Sequence, residues 1–512
     1  MDIKSLKDKI LQLGIQGKLV QQNENDEPAS VLLEKVRQEK EQLIKDKVIK
    51  KEKQLPEISD EEKLFELPKG WEWCRLGDIS QVISKGTTPK GGRNAYKDEG
   101  VNFLRVENIT DDFQINLNNI TLIDENTHEN ELKRSIAKEG DLLISIAGSL
   151  GRVAVVKMEH IPCNMNQAIS FVRLVNKQIH VEYLKYVIVS PIVREVMISK
   201  NKTTAQPNLT LEIINNVVLA IPPLEEQKRI LNKIDELFEL IDELDKNKQD
   251  LLENISNTRN KVLQLAIQGK LVKQCEDDEP ASILLEKIKV EKEQLIKDKV
   301  IKKEKPLPEI IEEEKQFELP KGWEWCRLGE IGVYKKGPFG SAITKSMFVP
   351  KGENTIKVYE QKNAIQKDCT LGDYYVTKEY FESKLKGFEI FEGDIIVSCA
   401  GTIGETYIMP NGIERGVINQ ALMKMKIFDG IDIDYFLMYF DFILKRTAKE
   451  SSKGSAIKNI PPFDIFKKML LPVPPLEEQK RIVAKVDLIM DYLDKLQQEI
   501  ESQKIILEDI LQ

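Results

Sequence analysis

Histidine is nearly absent: the 512 residues hold three, His128, His160 and His180, all in the first half. A catalytic or metal site built on histidine and present in both halves is thereby excluded. The six cysteines, at positions 74, 163, 275, 326, 369 and 399, form no CxxC pair. Their spacing suggests neither a zinc knuckle nor a disulfide framework. No apolar run approaches the roughly 20 residues that span a bilayer. The start, Met1-Asp2-Ile3-Lys4, lacks the apolar core of a secretory signal, so a reducing cytoplasm is expected. GxxxxGK[ST] and GxGxxG phosphate-binding turns are missing. Asn459-Ile460-Pro461-Pro462-Phe463 breaks the short Asn/Asp-Pro-Pro-aromatic signature of amino-group methyltransferases with an inserted isoleucine. No catalytic constellation is visible. The net charge of −8 argues against coating nucleic acid by bulk charge but leaves local basic patches open.

What the chain does have is a copy of itself. Glu66-Leu67-Pro68-Lys69-Gly70-Trp71-Glu72-Trp73-Cys74-Arg75-Leu76-Gly77 returns unchanged from Glu318 to Gly329, an offset of 252 residues. Pro222-Pro223-Leu224-Glu225-Glu226-Gln227-Lys228-Arg229-Ile230 returns at Pro474 to Ile482, and Leu11-Gln12-Leu13 at Leu263-Gln264-Leu265, at that same offset. A period this long is the duplication of a whole domain with its connector, not a solenoid unit. All four tryptophans (Trp71, Trp73, Trp323 and Trp325) lie in the repeated segment. They read as core anchors, because a surface that tells targets apart should differ between the copies.

After Pro222-Pro223, apolar residues recur in steps of four and three at Ile230, Ile234, Leu237, Ile241, Leu244, Leu251, Ile255 and Val262. This heptad seam predicts one helix from about Leu224 to Ala266, roughly 60 Å long. Ile482, Val486, Ile489, Leu493, Leu496, Ile500 and Leu507 repeat the seam at the C-terminus. The expectation is that the two seams pack as an antiparallel intramolecular pair, with Lys248 and Gln503 helping to set register. Met1 to Val20 matches the tail of the central helix at 262–272, yet no helix precedes it. Joined end to end, 474–512 followed by 1–20 would rebuild 222–272. The repeat is therefore circular, pseudo-twofold in character, and both termini are expected to meet in space.

Ala29 to Lys53 and Ala281 to Lys305 are Glu/Lys-rich and nearly identical, and read as solvated helices, serving as spacers or as a docking surface for a partner. Leu55-Pro56 and Leu307-Pro308 end them before each head. Within the heads, Gly140-Asp141-Leu142-Leu143-Ile144-Ser145 parallels Gly393-Asp394-Ile395-Ile396-Val397-Ser398, and helical stretches are expected at 181–199 and 435–449. The fold class is thus mixed α/β (α+β). The heads differ most at 85–135 against 337–388.

Small, basic, polar loops occur at matched places. Lys85, Thr87, Thr88, Lys90, Arg93 and Asn94 in the first head correspond to Lys335, Lys336 and Ser341 in the second. Near the end of each head, Lys200, Lys202, Thr203, Thr204, Gln206 and Asn208 answer to Lys449, Ser451, Ser452, Lys453, Ser455, Lys458 and Asn459. Lys and Arg neutralise phosphates, Gly admits close backbone approach, and Asn, Gln and Ser hydrogen-bond base edges. Any one such loop also reads as an ordinary solvated turn; their matched occurrence favours contact surfaces. Asn166-Gln167 and Asn419-Gln420 pair up as well, either closing strand ends or reading adenine edges.

With these landmarks in place, the whole chain resembles the specificity subunit of a type I restriction-modification system. The resemblance implies a division into 1–26 (completing a distal helical region), 27–62 (charged linker), 63–221 (target-recognition domain 1) and 222–272 (central helical region). It continues with 273–315 (charged linker), 316–473 (target-recognition domain 2) and 474–512 (distal helical region). It further implies a non-catalytic subunit that places each head on one half of a bipartite site in double-stranded DNA. That subunit would recruit two modification (methyltransferase) subunits and motor-nuclease restriction subunits, with S-adenosylmethionine, ATP and Mg held by those partners. A specificity subunit serving a fused nuclease-methyltransferase, and a coiled-coil scaffold that binds only proteins, are the alternatives.

Overall fold

The computed structural model describes residues 3–51, 53–199, 208–399, 402–451 and 463–502. The chain divides into two compact units, 1–249 with 503–512, and 250–502. Leu507, Gln503 and the meeting of the termini lie outside the described residues.

Each unit has one head with two four-stranded sheets. In the first head one sheet runs in the order Ser80–Lys85, Ile169–Leu174, Leu142–Ser145, Val153–Val155. The second head repeats it as Gly332–Lys336, Leu422–Ile427, Ile395–Ser398, Thr406–Ile408. Leu142-Leu143-Ile144 is apolar without alternation because this sheet is covered on both faces. Leu142 and Ile144 join the core shared with the helices, whereas Leu143 packs with Leu104, Cys163 and Met165 of the other sheet. Ile395 and Val397 against Ile396 divide in the same way.

The other sheet carries the divergence. Both heads keep one parallel pair in it, Val101–Leu104 with Cys163–Met165 at one side of the first sheet and Thr355–Tyr359 with Gly416–Ile418 in the middle of the second. The first head adds Tyr96–Lys97 at one edge, and the second adds Glu389–Ile390 at the opposite edge. A short antiparallel ribbon closes each head, Glu72–Arg75 with Val218–Ile221 and Glu324–Arg327 with Leu470–Val473.

The long helix runs Leu224–Ile267, started by Pro222-Pro223 and two acidic residues in its first turn. In the first unit it packs antiparallel on the helix Ile3–Ile15: Lys7 Nζ meets Asp242 at 2.6 Å, and Ile10, Ile230 and Ile234 share one core. In the second unit Arg259 meets Asp494 of the C-terminal helix Leu476–Ser502 at 2.6 Å. The two ion pairs are equivalent under the repeat. Seam residues Ile230, Ile234, Ile241, Ile255, Val262, Ile482, Val486 and Ile500 are buried, and Leu237, Ile489 and Leu493 are half-buried.

Leu244, Leu251 and Leu496, expected in the seam, are instead 41–49% exposed. The Lys7–Asp242 register sets Leu244 level with Ser5, and the Arg259–Asp494 register sets Leu496 level with Asn257 and Leu251 with Ser502. Among the described residues, the position level with each leucine is polar: Ser5, Asn257 or Ser502.

Three helix expectations are also corrected. The charged helices stop at Lys45 and Lys297, short of Lys53 and Lys305. Lys47 and Lys299 turn left-handed (φ 59° and 56°), and Val48 N–H closes the end on Leu43 O. These helices are not wholly solvated, since Ala29, Leu32 and Val36 are buried on one face, as are Ala281, Leu284 and Ile288. The stretch 181–199 is two helices, Val181–Val189 and Pro191–Ser199, because Pro191 can start a helix but not continue one. Conversely, helix Ile433–Ser451 runs on through Lys449 and Ser451, which sequence reasoning placed in a loop. Nothing in Lys449-Glu450-Ser451 breaks a helix.

Candidate nucleic-acid interface

The loop after the first strand of each head is held by one repeated set of hydrogen bonds. Asn166 N–H donates to Leu104 O at 3.0 Å, and its side-chain oxygen accepts from Ala168 N–H at 3.1 Å. Asn419 does the same with Tyr359 O at 3.0 Å and Ala421 N–H at 3.0 Å. This settles Asn166 and Asn419 as turn-closing residues and leaves Gln167 and Gln420 exposed beside them. On this turn rests the glycine of the basic loop: Gly86 N–H donates to Ile169 O at 2.9 Å, and Gly337 N–H to Leu422 O at 2.8 Å. A β-carbon on Gly86 would come within 2.2 Å of Met165 O and Asn166 O, and one on Gly337 within 1.8 Å of Asn419 O. Only glycine lets the loop lie this close, at the junction of the two sheets.

From that anchor Lys85, Thr87, Lys90 and Asn94 stand exposed in the first head, with Thr88 half-buried and Pro89 buried. Lys90 N–H donates to Glu131 at 2.5 Å, which fixes the loop backbone and leaves the lysine side chain outside. Arg93 lies in a short helical turn over Gly92–Ala95. In the second head Lys335, Lys336 and Ser341 are exposed, and Lys335 Nζ lies 4.9 Å from the centre of the Phe388 ring. Within each head these exposed groups flank the glycine anchor in sequence.

The second set of loops is not placed. Lys200, Lys202, Thr203, Thr204 and Gln206, and Ser452, Lys453, Ser455, Lys458 and Asn459, fall outside the described residues; Asn208 is exposed. Sequence reasoning missed Phe339, which is 89% exposed at the tip of the second head's loop. Its signal was available: an aromatic between Pro338 and Gly340, outside any apolar periodicity.

The tryptophans take no part in this surface. Trp71, Trp323 and Trp325 are buried, and Trp71 Nε1–H donates to the Glu226 carboxylate at 3.1 Å. Burial raises the Glu226 carboxyl above the usual carboxylate range, and likewise its repeat Glu478. Among the described residues no group of three or more His, Cys, Asp or Glu side chains is arranged to hold a metal, and no helix is long and apolar enough to cross a membrane.

Histidine makes the two units respond differently to acid. His180 N–H is held by Gln227 at 3.0 Å, where the second unit has Asp432 held by Gln479 at 2.7 Å. Burial pushes the His160 and His180 imidazoles below their ordinary range. With the folded value below the unfolded one near 6.5, the unfolded first unit binds more protons, so its stability falls as pH drops below about 6.5. The second unit has no histidine; its raised Glu478 is matched by Glu226 in the first unit, while its raised Asp434, held up by burial, favours folding as pH falls. Urea midpoints at about pH 7.5 and 5.5 should therefore diverge, the first unit losing ground to the second. Equal shifts would refute this assignment.

The comparisons with known proteins agree with one another. Residues 68–254 and 320–508 match the type I restriction modification DNA specificity domain. Over 98% of its length the chain is 30% identical to the type I restriction enzyme EcoAI specificity subunit of Escherichia coli, covering 91% of that protein. It is 27% identical to the EcoEI specificity subunit of Escherichia coli at the same coverages. Among solved structures it resembles in fold a chain of a type I R-M system, with TM-score 0.55, 19% identity, and 87% and 97% of the two chains covered. The HsdS subunit from Thermoanaerobacter tengcongensis gives TM-score 0.52 at 19% identity, with 87% and 96% covered. With two matched domains on a mixed α/β frame and relatives aligned end to end, this chain belongs to the type I restriction-modification DNA specificity family.

Proposed function

We infer that this chain is the DNA-specificity subunit of a type I restriction-modification complex. Each head takes one half of a bipartite site, the first head being residues 63–221 and the second 316–473. One observation carries the reading: both heads hold their basic loop on the same asparagine turn with the same bonds, yet present different side chains from it. A constant mount with a variable tip is what a protein needs to read two different sequences with one fold.

In this reading the subunit performs no chemistry. Two modification subunits methylate adenine with S-adenosylmethionine, and restriction subunits use ATP and Mg, all in the cytoplasm. The long helix Leu224–Ile267 and its antiparallel partners act as a coiled-coil spacer between pseudo-twofold halves, so the gap between half-sites follows helix length. Lys85, Lys90, Lys335 and Lys336 face phosphates; Thr87, Asn94, Ser341, Gln167 and Gln420 are placed for base edges. Partner subunits supply the remaining phosphate contact that an acidic chain lacks.

The test is single-molecule sequencing of adenine methylation in DNA from cells expressing this chain with its modification subunit, against a deletion control. A split motif around a fixed gap that vanishes on deletion is the expected result. An active assembled complex with no split motif would overturn the reading.

A further inference from the structure

Phe339 is 89% exposed, more than any other large apolar side chain among the described residues, Phe391 at 56% and Tyr374 at 39% in the same head included. Its 89% exposure is not the looseness of a floppy loop. Gly337 is bound to Leu422 and has no room for a side chain, Pro338 is buried with its φ fixed by the ring, and Phe339 O accepts Ala342 N–H at 2.8 Å. Backbone bonds thus hold the ring out into solvent from both sides. Just before it come Lys335 and Lys336, and just after it Ser341, all exposed. Cations that draw phosphates close beside a rigidly presented apolar group are the combination by which proteins wedge open a base step. The first head shares the glycine anchor, adds a Thr87 N–H bond to Met165 O at 3.0 Å where Pro338 has no donor, and carries half-buried Thr88 at the place of Phe339, so the feature belongs to one head only.

We propose that Phe339 is an apolar wedge that inserts against the base stack of the half-site read by the second head. This rests on the DNA-reading function argued above. It implies that the second half-site is selected partly by ease of unstacking, which favours a pyrimidine–purine step, whereas the first half-site is read without such distortion. Phe339 is then a specificity-determining residue that makes no hydrogen bond to any base.

The experiment uses the full chain assembled with its modification subunits, on DNA carrying the site found by methylation mapping. 2-Aminopurine is walked through both half-sites, leaving out the methylated adenine, which methyltransferases extrude in any case. The wild-type complex should raise fluorescence at one position in one half-site. Phe339→Ala should abolish that rise and weaken specific binding on the order of tenfold, the scale of one lost base–aromatic contact. Phe339→Leu should keep part of both, and an unchanged urea midpoint for both variants shows that folding is intact. No fluorescence rise at any position, or a rise that survives Phe339→Ala, overturns the wedge. Loss of complex assembly in Phe339→Ala, with DNA affinity unchanged in the fraction that assembles, would overturn it in favour of a ring that docks on a partner subunit. Wild-type complex that binds no site specifically would overturn the DNA reading itself, a failure distinct from the others.

Discussion

Replacing Arg75 by alanine should destabilise the first unit by about 3–5 kcal/mol, the scale of several charge-assisted hydrogen bonds lost together with the packing of a buried side chain. For a unit of this size that is a fall of roughly 10 °C in Tm. The side chain is 1% exposed and spends its donors on four groups: Pro56 O at 2.8 Å, Glu57 O at 3.1 Å, Asn216 O at 3.0 Å, and the Glu62 carboxylate at 2.7 Å. It therefore ties the linker before the head to the start and the end of the head at once. Alanine leaves the three carbonyls without the guanidinium donors and a void where the buried side chain was. Lysine is no substitute, since one ammonium cannot reproduce a planar fork. Arg327 repeats the arrangement on Pro308 O, Glu309 O, Lys468 O and Glu314, so Arg327→Ala should do the same to the second unit. Each unit carries its own pair of tryptophans, so of two transitions in tryptophan fluorescence Arg75→Ala should move one and Arg327→Ala the other. A loss below about 1 kcal/mol, within the range of an exposed pair, would show that these arginines are not structural staples.

Deleting seven residues, Glu243 to Gln249, from the long helix should change the gap in the methylated motif while leaving both half-site sequences as they were. Seven residues shorten a helix by about 10 Å yet keep a heptad seam in phase, and about 10 Å corresponds to roughly three base pairs. The deletion avoids the stretch carrying Ile230, Ile234 and Ile241, which packs on Ile3–Ile15, and the stretch carrying Ile255 and Val262. Within it, Leu244 is exposed, so little packing is lost. Methylation mapping of cells carrying the deletion reads the result directly. An active variant with an unaltered gap would show that the helix does not set the spacing.

Much of the frame could be read in the sequence because it is written twice. The long helix was expected at Leu224 to Ala266 and is found at Leu224–Ile267, since a heptad seam behind a double proline leaves little choice. The strands at 142–145 and 395–398 were legible as short apolar runs between glycines. The tryptophans were legible as anchors because they did not vary. Where the reading failed, a local signal was overlooked or a partner was needed. Pro191 was visible, and its break in the 181–199 helix was a missed rule. The exposure of Leu244, Leu251 and Leu496 was not visible, because a leucine at a seam position is buried only if the facing helix offers an apolar residue there.

The sequence by itself determined the duplication, the two heads, the mixed α/β class, the seam-bearing helices and the family, because identity at one offset and periodicity along one helix are properties of the chain alone. Tertiary structure decided which residues share a surface. The bonds of Gly86 N–H to Ile169 O and of Gly337 N–H to Leu422 O join positions 83 and 85 residues apart, and no side-chain pattern announces them. Phe339 stood in the sequence as an aromatic between Pro338 and Gly340, but its 89% exposure is a property of the folded head. Exposure is set by what lies opposite a residue in space, and that depends on strand order and helix register, which neither composition nor local propensity fixes.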